Sequence, residues 1–156
     1  EVAPYIKRAR QDGATIKYIF ETHFHADFVS GHLTLSEKTG APIVYGPLAN
    51  PSFDAIIAED GQEFRIGDLT LIALHTPGHT PGGIALHTDG HVFVGDTLFQ
   101  GSIGRTDFPG GDYDTIIRSI REKLFPLGDR VMVYTGHGPE TDIGTEKQHN
   151  PFARLA

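Results

Sequence analysis

Four strand-like runs in this chain each lead directly into histidine or aspartate residues, and this repeated placement constrains the fold more than any other feature of the sequence. The four segments are residues 22–27, 75–83, 94–96 and 134–139. A single histidine or aspartate at the end of a strand is more often a capping or surface residue. Four such junctions in one chain favour a shared site at one edge of a folded domain.

Histidine and carboxylate side chains at these junctions indicate metal binding. His23 and His25 are two residues apart, so an extended segment would point both the same way, and Asp27 can join or orient them. His79 lies in a turn that glycine and proline residues make rigid. Asp96 and His137 follow two further strand-like runs. The sequence therefore predicts a metal site built from several strand ends.

Composition narrows the class of protein. The chain has 156 residues and is 38% hydrophobic, which suits one globular domain, and no apolar run is long enough to cross a bilayer. Its net charge of -7 argues against a nucleic-acid or anionic-membrane surface. Cysteine is absent, which excludes disulfides and thiolate ligands and leaves the 9 histidines and the carboxylates as metal ligands. We expect a cytoplasmic protein.

The hydrophobic pattern predicts an α/β fold. Predicted helices cover residues 3–12, a short segment ending near Gly40, and residues 114–124 with Asp112 or Asp114 as the N-cap. Predicted strands cover residues 16–20, 42–45, 63–66, 69–74, 84–87, 91–94 and 131–134. Asp89 and Gly90 between two apolar runs predict a hairpin turn, which a purely parallel sheet would not need.

These segments resemble the metallo-β-lactamase superfamily, whose pattern is HxHxDH followed by His, Asp and His. The stretch 21–32, ETHFHADFVSGH, is similar to the persulfide dioxygenase branch, which includes fusions to rhodanese domains. Residues 101–108 are similar both to that branch and to glyoxalase II-like hydrolases. Residues 136–140 and 149–152 are similar to the hydrolases. The resemblance implies an αββα sandwich in one domain, 1–156. Because the chain begins at the first helix, this domain is expected to lack its first strands.

One residue departs from the superfamily pattern. Phe28 stands where most members have a histidine that serves a second metal ion. The persulfide dioxygenase resemblance implies one Fe(II) ion held by His23, His79 and Asp96, with His25 a fourth ligand or a neighbour. The alternative is Zn(II) held by His23, His25 and His79, with Asp96 bridging towards Asp27 and His137.

The two metals imply different reactions. An iron enzyme would oxidise a small thiol-derived substrate such as glutathione persulfide to sulfite and thiol, whereas a zinc enzyme would hydrolyse a thioester such as a hydroxyacyl-glutathione. A third hypothesis is an inactive metal-binding or partner-binding fragment, and a homo-oligomer is compatible with the sequence.

Three residues are candidates for catalytic or positioning roles. Asp27 and His137 would orient the ligands or the substrate. Arg105 would hold a substrate carboxylate or its own loop, with an ion pair to Asp107 or Asp112 as the simpler alternative. Of the remaining histidines, His32 is expected to shape the pocket, and His149 to be a solvated tail residue.

Overall fold

Two stacked sheets with helices on their outer sides form the fold. The computed structural model describes residues 1–25 and 28–156. Its elements are, in chain order, α1 (Ala3–Gln11), β1 (Ile19–Phe20), α2 (His32–Thr39), β2 (Ile43–Tyr45), β3 (Ile56–Ile57), β4 (Glu63–Ile66), β5 (Leu69–His75), β6 (Ile84–Thr88), β7 (His91–Gly95), β8 (Leu98–Phe99), β9 (Ser102–Ile103), α3 (Tyr113–Ser119), a π-helical turn (Ile120–Leu124), a 3₁₀ turn (Phe125–Leu127), β10 (Met132–Thr135), β11 (Thr141–Asp142) and α4 (Ile143–His149). The layers confirm the predicted αββα sandwich.

Pairing of the strands differs between the two sheets. The smaller sheet has the order β1-β2-β3 with parallel neighbours. The larger sheet has the order β11-β10-β7-β6-β5-β4, in which β10 and β7 are parallel and the other neighbours antiparallel. The predicted hairpin joins β6 to β7, and Gly90 supplies the positive φ of 73° that its turn requires. Strands β8 and β9 form a separate small hairpin.

Three apolar clusters hold the layers together. The cluster between the sheets contains Phe64 and Leu86 of the larger sheet and Val44 of the smaller one. Tyr18 and Phe20 each meet the Phe64 ring edge-on, at centroid distances of 5.3 and 5.2 Å. A second cluster joins the larger sheet to the α3 and α4 region, and a third joins the smaller sheet to α2. Burial of apolar surface on both faces of each sheet stabilises the sandwich.

Several predicted element bounds were wrong. The strand predicted at 16–20 is confined to Ile19–Phe20, because only these two residues pair with β2. The helix predicted at 114–124 begins at Tyr113 and changes to a π-helical turn at Ile120, while Asp112 caps it by accepting a hydrogen bond from the Thr115 N–H. Helix α4 was missed because its short, polar sequence has little helical periodicity. Within the described ranges, no helix has the length and apolar character needed to span a membrane.

Candidate metal centre

Three side chains from different strand ends converge on one point. His23 follows β1, His79 follows β5 and Asp96 follows β7, and one ligand atom from each lies within 4.8 Å of the others. The Nε2 atoms of both histidines are 3.6 Å from Asp96 Oδ2. Ligands about 2.1 Å from a tetrahedral metal ion are about 3.4 Å from one another. The spacing of these donors therefore fits a single divalent ion.

His23 is held in place by its neighbours in the chain and across the sheet. The preceding carbonyl, of Thr22, accepts a hydrogen bond from the Ile84 N–H at the start of β6. The Thr22 hydroxyl lies 2.9 Å from His23 Nδ1. Burial lowers the pKa of His23 to about 4; Asp96 opposes this shift, and the neighbouring histidines add to it. The imidazole is therefore neutral at pH 7, which is the form that binds a metal ion.

The loop that carries His79 is seated on helix α3. Asp112 N–H donates to the Gly78 carbonyl at 2.8 Å, and the Ser119 hydroxyl donates to the Pro77 carbonyl at 2.7 Å. His79 Nδ1 lies 2.8 Å from the Arg105 carbonyl, which can only accept, so Nδ1 carries the hydrogen. The lone pair of His79 Nε2 is thereby left free to bind a metal ion that Asp96 would share.

Glycine residues allow the backbone to approach Asp96 closely. A Cβ atom on Gly104 would lie 1.7 Å from the Asp96 carbonyl oxygen, and one on Gly136 would lie 2.1 Å from Asp96 Oδ1. The Gly136 N–H donates to the Gly95 carbonyl at 2.7 Å, which ties the end of β10 to the end of β7. Position 104 therefore requires glycine for close packing against the backbone of Asp96.

His25 lies beside the three-residue group. Its ring lies between those of His23 and Phe28, tilted against both, at centroid distances of 4.3 and 4.2 Å. Its Nε2 is 3.9 Å from Glu21 Oε2. The other Glu21 oxygen accepts a hydrogen bond from Ser30 at 2.5 Å and lies 3.2 Å from Nδ1 of the largely buried His32. This polar cluster behind His25 was not predicted, although Glu21 directly precedes the histidine motif.

The predicted catalytic residues have different surroundings. His137 is largely exposed, and its Nε2 lies 3.2 Å from Asp96 Oδ2. Arg105 forms a bidentate ion pair with Asp107, at 2.8 and 2.7 Å, so the structure contains the simpler alternative that the sequence offered. Asp27 lies outside the described residues.

A cavity of about 620 Å³ opens onto the three-residue group. The described residues that line it are His23, Phe24, His25, Phe28, His79, Thr80, Asp96, Phe99, Ser102, Ile103, Arg105, Phe108, Pro109 and His137. Four phenylalanines dominate the wall away from the histidines. Sequence reasoning missed three of them, because a lone phenylalanine in a loop gives no signal until the fold brings it to the cavity.

A buried polar network supports one side of this cavity. Glu146 accepts hydrogen bonds from the Gly101 N–H, the Thr141 hydroxyl and the Asn150 amide, at 3.0, 2.9 and 2.8 Å. Asn150 also donates to the Ser102 carbonyl at 3.0 Å. Both side chains are almost completely buried, in α4 and just after it. They tie the helix to the β8–β9 hairpin, which supplies Phe99, Ser102 and Ile103 to the cavity.

Comparison with known proteins gives one consistent family. The metallo-beta-lactamase superfamily model matches residues 1–137. Hydroxyacylglutathione hydrolase GloC of Haemophilus influenzae is 37% identical over 97% of this chain and 82% of its own length. The crystal structure of ETHE1 from Myxococcus xanthus has a TM-score of 0.91 and 35% identity, covering 97% of this chain and 69% of that one. A di-iron-bound form of TTHA1623 has a TM-score of 0.83 and 31% identity, with coverages of 97% and 85%.

Proposed function

The chain belongs to the metallo-β-lactamase superfamily, and we propose that it is a mononuclear iron enzyme that oxidises a low-molecular-weight persulfide. The observation that carries this proposal is the group of two histidines and one carboxylate, His23, His79 and Asp96. Such a triad is typical of non-haem Fe(II) oxygenases, because it leaves positions open for substrate and oxygen. The superfamily is enzymatic and its fold binds metal ions, which supports the general class.

The resemblance of residues 21–32 to persulfide dioxygenases supports the choice of reaction, and the structural similarity to ETHE1 supports the fold that carries the site. The overall reaction would be RSSH + O₂ + H₂O → RSH + SO₃²⁻ + 2 H⁺, in which the terminal sulfur is oxidised and oxygen is reduced. Bound Fe(II) would supply the oxygen chemistry. Glutathione persulfide is a suitable first substrate for the assay.

The residues of this chain would bind, orient and protect the reacting groups. His79 is held by the Arg105 carbonyl so that Nε2 faces the ion. His137 Nε2, 3.2 Å from Asp96, is placed to donate a hydrogen bond to that carboxylate and to orient it. The phenylalanine wall would limit the access of water to the sulfur that reacts.

A zinc-dependent thioester hydrolase is the second candidate. Its support is the 37% identity with GloC, which is named a hydroxyacylglutathione hydrolase. The proximity of His25 to His23 and of His137 to Asp96 would provide further ligands for zinc. Bound zinc would lower the pKa of a water molecule to about 7 and so supply a nucleophile.

Oxygen uptake separates the two candidates. Protein loaded anaerobically with Fe(II) is given glutathione persulfide and oxygen, and sulfite is measured alongside. We expect one sulfite for each oxygen consumed and little hydrolysis of a hydroxyacyl-glutathione. Rapid thioester hydrolysis by the zinc-loaded protein, with no oxygen uptake by the iron-loaded protein, would support the hydrolase instead.

A further inference from the structure

The wall of the cavity is apolar and its aromatic rings are held in fixed positions. Phe24 stacks on Tyr45 at a centroid distance of 4.4 Å, and Phe99 meets His137 edge-on at 5.9 Å. Phe28 packs on His25, as described above, and Phe108 lies beneath the Arg105 guanidinium at 3.8 Å. Rings that are already ordered lose little conformational entropy when a ligand binds between them.

Exposure of these rings marks a binding surface. Phe24, Phe28 and Phe108 are 41%, 55% and 45% exposed, although each is large and apolar. They surround the same cavity, so their exposed surfaces face a shared space next to the candidate metal ligands. An apolar ligand entering this space would remove their surface from water, which favours binding.

Positive charge at this wall is already neutralised. Arg105 is the one lysine or arginine among the described residues that line the cavity. Its Nε and Nη2 both donate to Asp107. These hydrogen bonds lower the pKa of Asp107 to about 2, so the carboxylate stays ionised at neutral pH. A substrate carboxylate would have to displace Asp107 in order to use this guanidinium.

Glutathione derivatives carry two carboxylates, which need cationic or hydrogen-bonding partners when they leave water. Apart from the histidines and Asp96 of the candidate metal centre, the remaining described polar residues that line the cavity are Thr80 and Ser102, and both are uncharged. The net charge of the chain, -7, gives no general attraction for anions either. The cavity is therefore better matched to an uncharged carbon group.

We infer that the substrate of the proposed reaction is a derivative of an apolar alkyl or aryl thiol, whose carbon group lies against Phe24, Phe99 and Phe108. This inference rests on the proposed function, because it assumes that the sulfur of the ligand points to the metal site. It changes the expected preference from glutathione persulfide to persulfides such as phenylmethyl persulfide.

Binding and turnover are measured separately to test this inference. Calorimetry of the Fe(II)-loaded protein without oxygen compares phenylmethanethiol with glutathione, and kcat/KM then compares the two persulfides. We expect the apolar thiol to bind about ten-fold more tightly, since its ring buries apolar surface, whereas the glutathione carboxylates lose water without a free cationic partner. Equal or tighter binding of glutathione would overturn the inference, and so would the absence of binding by both thiols.

Variants test whether the preference for the apolar thiol depends on the residues of the wall. Phe108→Ala should weaken binding of the apolar thiol about five-fold and leave glutathione nearly unchanged. Asp107→Asn should release the Arg105 guanidinium and strengthen glutathione binding several-fold. Asp129→Asn is the matched control, because Asp129 pairs with Lys147 away from the cavity. This variant should bind both the apolar thiol and glutathione as the unchanged protein does.

The two proposals can fail independently. Preferential binding of the apolar thiol with no oxygen uptake on either persulfide would support the apolar preference of the cavity and contradict the dioxygenase. Oxygen uptake with glutathione persulfide preferred over the apolar persulfide, and lost in Arg105→Gln, would contradict the inference and support the dioxygenase.

Discussion

The cluster of candidate ligands and the wall that faces it are built in different ways. His23, His79 and Asp96 are at most slightly exposed, and backbone hydrogen bonds fix the loops that carry them. Three of the four phenylalanines of the wall, Phe24, Phe28 and Phe108, are about half-exposed, and contacts between side chains hold them. The rigid cluster would determine the class of reaction, and the wall would determine the substrate. Changes in the two regions should therefore have separable effects.

Loss of a ligand should have the largest effect. Asp96→Ala removes the carboxylate that both histidine Nε2 atoms face at 3.6 Å. We expect metal content near zero and a fall in turnover of about a thousand-fold or more, because the remaining side chains cannot hold the ion tightly. Metal per chain is measured by elemental analysis.

The matched control for this variant is His149→Ala. His149 is an exposed residue at the end of α4 and should leave metal content unchanged. Circular dichroism of both variants establishes that they are folded. Equal loss of metal in the two variants would mean that Asp96 has no special role.

The next largest expected effect is a change in the number of bound metal ions. Phe28 cannot coordinate a metal, and its ring occupies the face of His25 at 4.2 Å. Phe28→His should raise the zinc content from one towards two ions per chain, if Asp96 can bridge and the neighbouring ligands are in place. Phe28→Leu is the control that removes the ring without adding a ligand. A zinc content of two in the unchanged protein would show that Phe28 does not limit the site.

Stability should depend on the network behind the wall. Glu146→Ala leaves the Gly101 N–H, the buried Thr141 hydroxyl and the buried Asn150 amide without their shared acceptor. We expect the free energy of unfolding to fall by about 1–3 kcal/mol or more in a urea titration. Glu146→Gln keeps the shape and one acceptor oxygen and should lose less. If both variants unfold like the unchanged protein, the network does not hold the β8–β9 hairpin.

A change in the wall should have the smallest effect. Phe24 stacks on Tyr45 and faces the cavity, yet it contributes no ligand. Phe24→Leu should lower kcat/KM for an apolar persulfide by about three-fold, since the replacement loses part of the ring surface, and should keep the full metal content. Steady-state kinetics measures kcat/KM, and elemental analysis measures the metal content. Loss of metal in this variant would remove the proposed separation of the two regions.

The same contrast explains what the sequence could predict. Residues that follow strand-like runs can be located from hydrophobic pattern and chemistry, and the structure does bring His23, His79 and Asp96 together. Their role as ligands stays a prediction. Phe99 and Phe108 reach the cavity through loops whose course depends on tertiary contacts, such as the hydrogen bond from Gly101 to Glu146. Such contacts, 45 residues apart in the chain, leave no local signal.

The shortest strands could not be predicted from the sequence pattern either. Strands β3, β8, β9 and β11 have two residues each, too few to show an alternation. The long hairpin of β6 and β7 was predicted correctly, because its apolar runs and its Asp-Gly turn agree.

Counting the ions in metal-saturated crystals tests the central claim most directly. Anomalous diffraction at the iron or zinc edge locates each ion and its ligands. We predict one ion per chain, about 2.0–2.2 Å from His23, His79 and Asp96, with the Phe28 ring still packed on His25. A similar protein, TTHA1623, has a di-iron-bound form, so two ions are the alternative to be excluded. Two fully occupied ions bridged by Asp96 would contradict a mononuclear centre.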